Sequence, residues 1–68
     1  DVIFEYDQDN SINVVVTDLA GREMYRSAGF GATPGLNVLP INASGWADGA
    51  YIITLSDNER QISHKIFY

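Results

Sequence analysis

The sequence has no cysteine, and only four basic residues, Arg22, Arg26, Arg60 and Lys65, stand against nine acidic ones. Without cysteine there is no disulfide to staple the chain and no thiolate metal centre. The formal net charge of −5 argues against nucleic acid and anionic lipid surfaces as partners, because only these four cations could neutralise phosphates. No apolar run approaches the roughly 20 residues needed to span a bilayer, so no membrane insertion is expected. The basic, apolar, small-residue order of a signal peptide is also missing. The chain begins at Asp1, without Met, directly in strand-like sequence; it is expected to be a mature or excised piece of something longer, with any export signal outside it. Helical spacing is absent as well, since Gly and Asn interrupt every window long enough for a stable helix. What is present is a hydrophobic content of 46%, which suits a folded chain rather than a disordered one. Residues 1–68 are expected to form a single domain, near the size at which one core only just outweighs chain entropy.

The apolar residues recur with a period of two, the signature of half-buried strands. Val2, Phe4 and Tyr6 alternate with Ile3 and Glu5. After the polar turn Asp7-Gln8-Asp9-Asn10-Ser11, a β-branched strand runs from Ile12 to Thr17, with Ile12, Val14 and Val16 on one face. Asp18-Leu19-Ala20-Gly21 is a tight turn, in which Gly21 is free to take positive φ. Arg22 to Ser27 returns as a more polar strand, at an edge or with one face in water. Ala28 to Gly35 holds three glycines and one proline and reads as a loop, with Phe30 folding back onto the sheet. Leu36 to Ile41 is a further strand, and Pro40 within it removes a donor and favours an edge. Asn42 to Gly49 is a turn segment carrying Trp46. Ala50 to Ser56 is the strongest strand, with Tyr51, Ile53 and Leu55 on one face; Asp57-Asn58-Glu59 is a hairpin turn, and Arg60 to Tyr68 the final strand. Short strands at intervals of about ten residues predict an all-β, antiparallel sandwich.

The candidate chemistry is thin. His64, the single histidine, sits beside Ser63, and adjacent side chains in a strand point to opposite faces, so a Ser-His pair is not set up. Turn carboxylates are usually solvated and make poor acid/base pairs. No catalytic residue is assigned, and the chain is read as not an enzyme. Asp7-Gln8-Asp9-Asn10 offers oxygen ligands at alternating positions but lacks the mid-loop Gly and distal Glu of a calcium loop; it reads as an Asx-rich connection, with no metal or cofactor expected. Tyr51 and Phe4 occupy core registers, Trp46 could cap the sandwich, and Tyr25 and Tyr68 are expected to be partly exposed. Asn42-Ala43-Ser44 fits the N-glycosylation pattern and carries little weight. Gly49 is expected to allow a close backbone approach before Tyr51 enters the core.

The stretch Val14-Val15-Val16-Thr17-Asp18-Leu19-Ala20-Gly21-Arg22-Glu23 resembles the hairpin of type IX secretion C-terminal sorting domains, type A, of Bacteroidota. The likeness continues through Leu36-Asn37-Val38-Leu39-Pro40-Ile41, Ser44, Trp46 and Gly49-Ala50-Tyr51-Ile52-Ile53, and ends at Ser63-His64-Lys65-Ile66. It spans residues 2 to 68, and the order and spacing of the motifs make it more specific than any one of them. Two departures stand out: the Pro-Asn-Pro segment that usually precedes the first strand is missing, and Trp46 stands where the family more often has Leu.

The resemblance implies an immunoglobulin-like sandwich of about seven strands, six of them here and an upstream first strand missing. It also implies a non-catalytic domain that directs an upstream cargo of the same chain, via the periplasm, through the outer-membrane secretion machinery. A sortase then removes it as the cargo is attached to the surface or released. By the same resemblance the recognition surface is the terminal strand around Lys65, with Ile66, Phe67 and Tyr68, while Asp18, Gly21, Gly49 and Tyr51 hold turns in shape. Two other readings stand beside this one. In the first, the chain is a structural subunit or terminal module of an assembly whose copies share edge strands, a homo-oligomer. In the second, it is a carbohydrate-binding module built on Trp46 and the tyrosines.

Overall fold

β-Branched and aromatic residues at alternate positions suit a pleated, half-buried surface, and the chain uses them almost throughout as strand. The computed structural model describes residues 2–68. It contains β1 (Val2–Tyr6), β2 (Asn10–Asp18), β3 (Glu23–Ala32), β4 (Gly35–Leu39), β5 (Ala50–Ser56) and β6 (Gln61–Phe67). No helix occurs among the described residues. The strands form two antiparallel sheets, a four-stranded one in the order β3-β2-β5-β6 and a two-stranded one of β1 and β4. The all-β sandwich expected from the period of two is what the chain adopts.

The core lies where β2 and β5 pair under the smaller sheet. Val14 stands opposite Leu55 and Val16 opposite Ile53, and Val14, Val16 and Ile53 have no exposed surface. Ile12, Leu55 and Tyr51 extend this layer, and Phe4, Tyr6 and Leu39 close it from the other sheet. The inward sets Ile12/Val14/Val16 and Tyr51/Ile53/Leu55 are those that alternation selects.

Strand ends differ from the sequence reading at β2, which begins at Asn10 inside the segment read as a polar turn, and at β3 and β4. The segment 28–35 was expected to be a loop, yet β3 runs on to Ala32. Free partners on β2 decide this: Ile12 pairs with Phe30, Ser11 with Gly31 and Asn10 with Ala32. The glycines serve a bulge instead, because two residues of β3 (28 and 29) oppose one of β2 (13) and Gly29 takes φ 74°. Phe30 does return to the core, its ring 5.7 Å from that of Phe4, but as part of the strand. β4 stops at Leu39, so Pro40 lies outside it rather than within; β4 is nonetheless an edge, paired only with β1.

The two sheets are joined differently along their two sides. Beside β3, the inward Asn37 of β4 is 6% exposed. Its Oδ1 accepts from the Thr33 amide at 2.9 Å, and its Nδ2 donates to the carbonyls of Thr33 and Gly35 at 2.9 and 3.1 Å. A buried amide so fully paired closes the β3–β4 corner without cost. Beside β6 the tie is confined to its start, where Tyr6 bonds to Asp57 and Asp7 pairs with Arg60, and no backbone ladder joins β1 to β6. A sheet of two strands cannot cover one of four, so the inward positions of β6 are only half-buried at Ile62 and Ile66 and exposed at His64.

With so few residues in the core, each counts. At roughly 0.05–0.15 kcal/mol per residue, a chain of this length has on the order of 3–10 kcal/mol of stability. Ile53→Val is expected to cost about 1 kcal/mol and leave the chain folded, whereas Ile53→Ala, at about 2–5 kcal/mol, removes much of the margin. Urea unfolding followed by tryptophan fluorescence checks the order; equal midpoints for the two variants would contradict a tightly packed site.

Candidate recognition surface

The terminal strand pairs with β5 through an unbroken register, from Ala50 opposite Phe67 to Ser56 opposite Gln61. Ser63, Lys65 and Phe67 face outward, and Lys65 stands across from Ile52. Lys65 is exposed, with its ammonium 5.7 Å from the centre of the Phe67 ring. Ile66, opposite Tyr51, is half-buried, while Phe67 is 77% and Tyr68 54% exposed. Of the four residues assigned by resemblance, Ile66 thus anchors the strand, and Lys65, Phe67 and Tyr68 are presented.

Beyond the ladder, Tyr68 is held by a reciprocal backbone pair: its amide donates to the Gly49 carbonyl at 2.9 Å and its carbonyl accepts from the Gly49 amide at 3.1 Å. Gly49 takes φ 144°, a conformation that disfavours any L side chain, but a Cβ placed there meets nothing within 4 Å. The close approach expected at Gly49 is therefore not found; backbone conformation is the reason for a glycine. Trp46 caps this end, its ring 5.1 Å from Tyr51 and 6.3 Å from Tyr68. The Tyr51 hydroxyl donates to the Ala47 carbonyl at 2.5 Å. Tyr25 is partly exposed, as expected.

Asp18 and Gly21 form the β2–β3 turn. The Asp18 Oδ1 accepts from the amides of Ala20 and Arg22 at 3.0 and 2.8 Å, and its Oδ2 accepts from Arg22 Nε at 3.2 Å. The Gly21 amide donates to the Asp18 carbonyl at 3.0 Å, and Gly21 has φ 88°. This is an Asx turn followed by a positive-φ residue, the physical reason for that residue pair.

At the opposite end of β6 lies a cluster that the sequence reading missed. The Asp57 side chain is 1% exposed. Its Oδ1 accepts from the amides of Glu59 and Arg60 at 2.8 and 2.9 Å. Its Oδ2 accepts from the Tyr6 hydroxyl at 2.7 Å and from Asn10 Nδ2 at 3.1 Å. Arg60 stacks over the Tyr6 ring at 4.9 Å and forms a two-pronged ion pair with Asp7, one contact being 2.8 Å. Bonds from its own turn amides, then from Tyr6, hold the Asp57 carboxyl down at about 2. The hydrogen bonds of Arg60 lower Asp7, and burial followed by the bond to Asp57 raises Tyr6. The sequence signalled the local half, an Asx turn at Asp57-Asn58-Glu59. It gave no sign of the distant half, because Tyr6, Asp7 and Asn10 arrive only when β1 is laid on the sandwich.

Within the Asx-rich stretch, Asp7 pairs with Arg60, the Asn10 Nδ2 donates to Asp57 and the Asn10 Oδ1 accepts from the Ser11 amide at 2.9 Å. Ser63 shares a hydrogen bond with Thr54 at 3.1 Å, on the face opposite His64. The polar groups described here serve turns and ties between strands, and the large apolar residues left exposed are Ile3, Leu19, Leu36 and Val38 as well as Phe67 and Tyr68 of the closing segment. Such an arrangement defines a small all-β sandwich whose polar groups are engaged in turns and strand ties. The chain belongs to the family of secretion system C-terminal sorting domains, whose model matches residues 1–68, the whole chain; it is a type IX sorting domain. Neither the curated proteins nor the solved structures give a match. A sorting signal of this family marks its cargo for delivery to the cell surface or the medium and implies contact with the type IX machinery.

The depressed carboxyl fixes the direction of a pH effect. Unfolded, Asp57 takes up a proton near pH 4, whereas in the folded chain it does so at about 2. Its stabilising contribution is therefore complete above about pH 4 and lost as pH falls toward 2. Asp7 and Glu23, lowered by Arg60 and Arg26, act in the same direction. Asp57→Asn is expected to lower the urea midpoint at pH 7 and to flatten its decline between pH 4 and 2; an unchanged acid slope would remove Asp57 from this role.

Proposed function

We propose that this chain directs a cargo, carried upstream in the same polypeptide, across the outer membrane by the type IX machinery, for surface attachment or release. It acts as one non-catalytic recognition module, reached via the periplasm and removed by a sortase. Lys65, Phe67 and Tyr68, presented on β6 and anchored by Ile66, are the contact; Asp18, Gly21, Gly49 and Tyr51 keep the two adjoining turns in shape. The observation that carries this reading is the family match over residues 1–68. The exposed position of the closing strand supports it.

Fused behind a reporter in a cell with a working type IX system, the chain is expected to deliver the reporter to the surface. Removal of Lys65 to Tyr68 is expected to leave it in the periplasm. No delivery by the intact fusion, alongside a sorting domain that works, would sink the reading; delivery by the truncated one would remove the terminal strand from it.

The second reading, a module whose copies share strands, is favoured by the unpaired edges of β1 and β6. It requires self-association, and sedimentation at rising concentration separates the two: a folded species that stays monomeric excludes obligatory sharing.

A further inference from the structure

The sheets have four edges, and they are not equivalent. β3 is interrupted by register shifts, carries Gly29 and Gly31, and has its outward Arg26 engaged with Glu23 at 2.7 Å. β4 is five residues long and is bounded by Gly35 and Pro40; β1 is equally short. β6 differs from all of these. It has seven residues, no glycine, no proline and no bulge in its register with β5. Natural edges are commonly blunted by bulges, prolines, brevity or charge, lysine above all, and of these β6 has only the last. Its one charge is Lys65.

That charge has no carboxylate within ion-pair distance among the described residues. Among the described residues Arg22 pairs with Asp18, Arg26 with Glu23, and Arg60 with Asp7 and Asp57. Among these residues Lys65 is the cation that pairs with no carboxylate, in a chain of net charge −5. Between Ser63 and Phe67 it occupies the middle of the outward row of β6, and it is steadied over the Phe67 ring. On the inward side, Ile62 and Ile66 are half covered and His64 is open beside Phe4 and Glu5 of β1.

We infer that the outer edge of β6 is a strand-addition site for an extended segment of a partner protein bearing a carboxylate at the position opposite Lys65. Resting on the sorting reading, it names how that surface is engaged. Main-chain hydrogen bonds to the free edge supply the binding, and alternate side chains supply the selectivity. In antiparallel register the incoming strand places an aromatic or apolar residue opposite Phe67, an Asp or Glu opposite Lys65 and a small polar residue opposite Ser63. The residues between them are apolar and cover Ile66, His64 and Ile62. Cross-strand neighbours lie about 5 Å apart, close enough for the carboxylate to meet the ammonium. A second copy of this chain is the poorer occupant: β6 itself carries no acidic residue, and two chains of net charge −5 repel.

The probe is a synthetic Tyr-Val-Glu-Val-Thr-Val peptide with Gly-Ser flanks, added to the 68-residue chain and followed by amide NMR and hydrogen exchange. The expected result is slowed exchange at the alternate β6 amides that point away from β5, with the same peptide N-methylated along one edge giving none. Replacing the peptide Glu by Lys should weaken binding about fivefold, the scale of one cross-strand charge pair. Lys65→Glu should reverse that preference. No protection on β6, equal binding of both peptides, or protection that appears without peptide as concentration rises would each overturn the inference. Reporter export is read in parallel. Lys65→Glu is expected to reduce it; full export by this variant, with no charge preference in the peptide arm, overturns strand addition and leaves sorting intact. Absent export by the unaltered fusion overturns sorting, while the peptide arm still decides strand addition.

Discussion

The ladder between β2 and β5 is the constraint on which the molecule depends. Val14 and Val16 meet Leu55 and Ile53 across it, and every other strand is placed by reference to that pair. β3 and β6 are hairpin additions to its two sides, while β1 and β4 form the lid over its inner face. Because the ladder joins residues some forty positions apart in the chain, neither half can fold alone; β2 needs β5 before its valines are buried. A chain this short has no second core to fall back on, so the buried polar groups at its corners carry more of the structure than they would in a larger domain. Asn37 and Asp57 show how: each is nearly free of exposure, and each has its oxygen or amide positions matched by neighbours.

Much of this was legible in the residues, for a physical reason. Period two decides which side chains face inward, and it selected Ile12, Val14, Val16, Tyr51, Ile53 and Leu55 without reference to any partner. Turn chemistry is equally local, which is why Asp18 and Gly21 could be given roles before their bonds were seen. Where the reading departed from the structure, a distant partner decided. Gly29 and Gly31 mark a loop on their own, but a free length of β2 draws them into a bulged strand. Gly49 was assigned a close approach, whereas its positive φ, set by the bonds to Tyr68, is the actual demand. Asp57 looked like a solvated turn residue because nothing nearby in sequence announces that Tyr6 and Asn10 will close over it.

The unequal width of the two sheets is what turns a stable fold into a presented surface. Two strands shield the centre of a four-stranded sheet and leave its margins bare. On the β3 side the margin is laced shut by Asn37 and disordered in register by the bulge at Gly29. On the β6 side it is left straight and open. The family to which the chain belongs is one of sorting signals, and on the reading proposed above this open, regular margin is what a partner strand engages.

A presented edge has to be kept from fraying, since a terminal strand with few buried side chains opens most easily. The structure meets this by fixing β6 at both ends. At its start the Asp57 carboxylate gathers the turn amides together with Tyr6 and Asn10, while Arg60 reaches Asp7. At its finish Tyr68 exchanges two backbone bonds with Gly49 and packs under Trp46. Between these clamps the inward side is secured only by Ile62 and Ile66, and the outward row is free. Stability is thus concentrated at the strand's ends, and Lys65 between them carries none of it, while Tyr68 serves the clamp and, on the proposed reading, the contact as well. A residue such as Lys65 can then change without unfolding the strand that carries it, whereas a change at Asp57 acts on presentation only by loosening the whole edge.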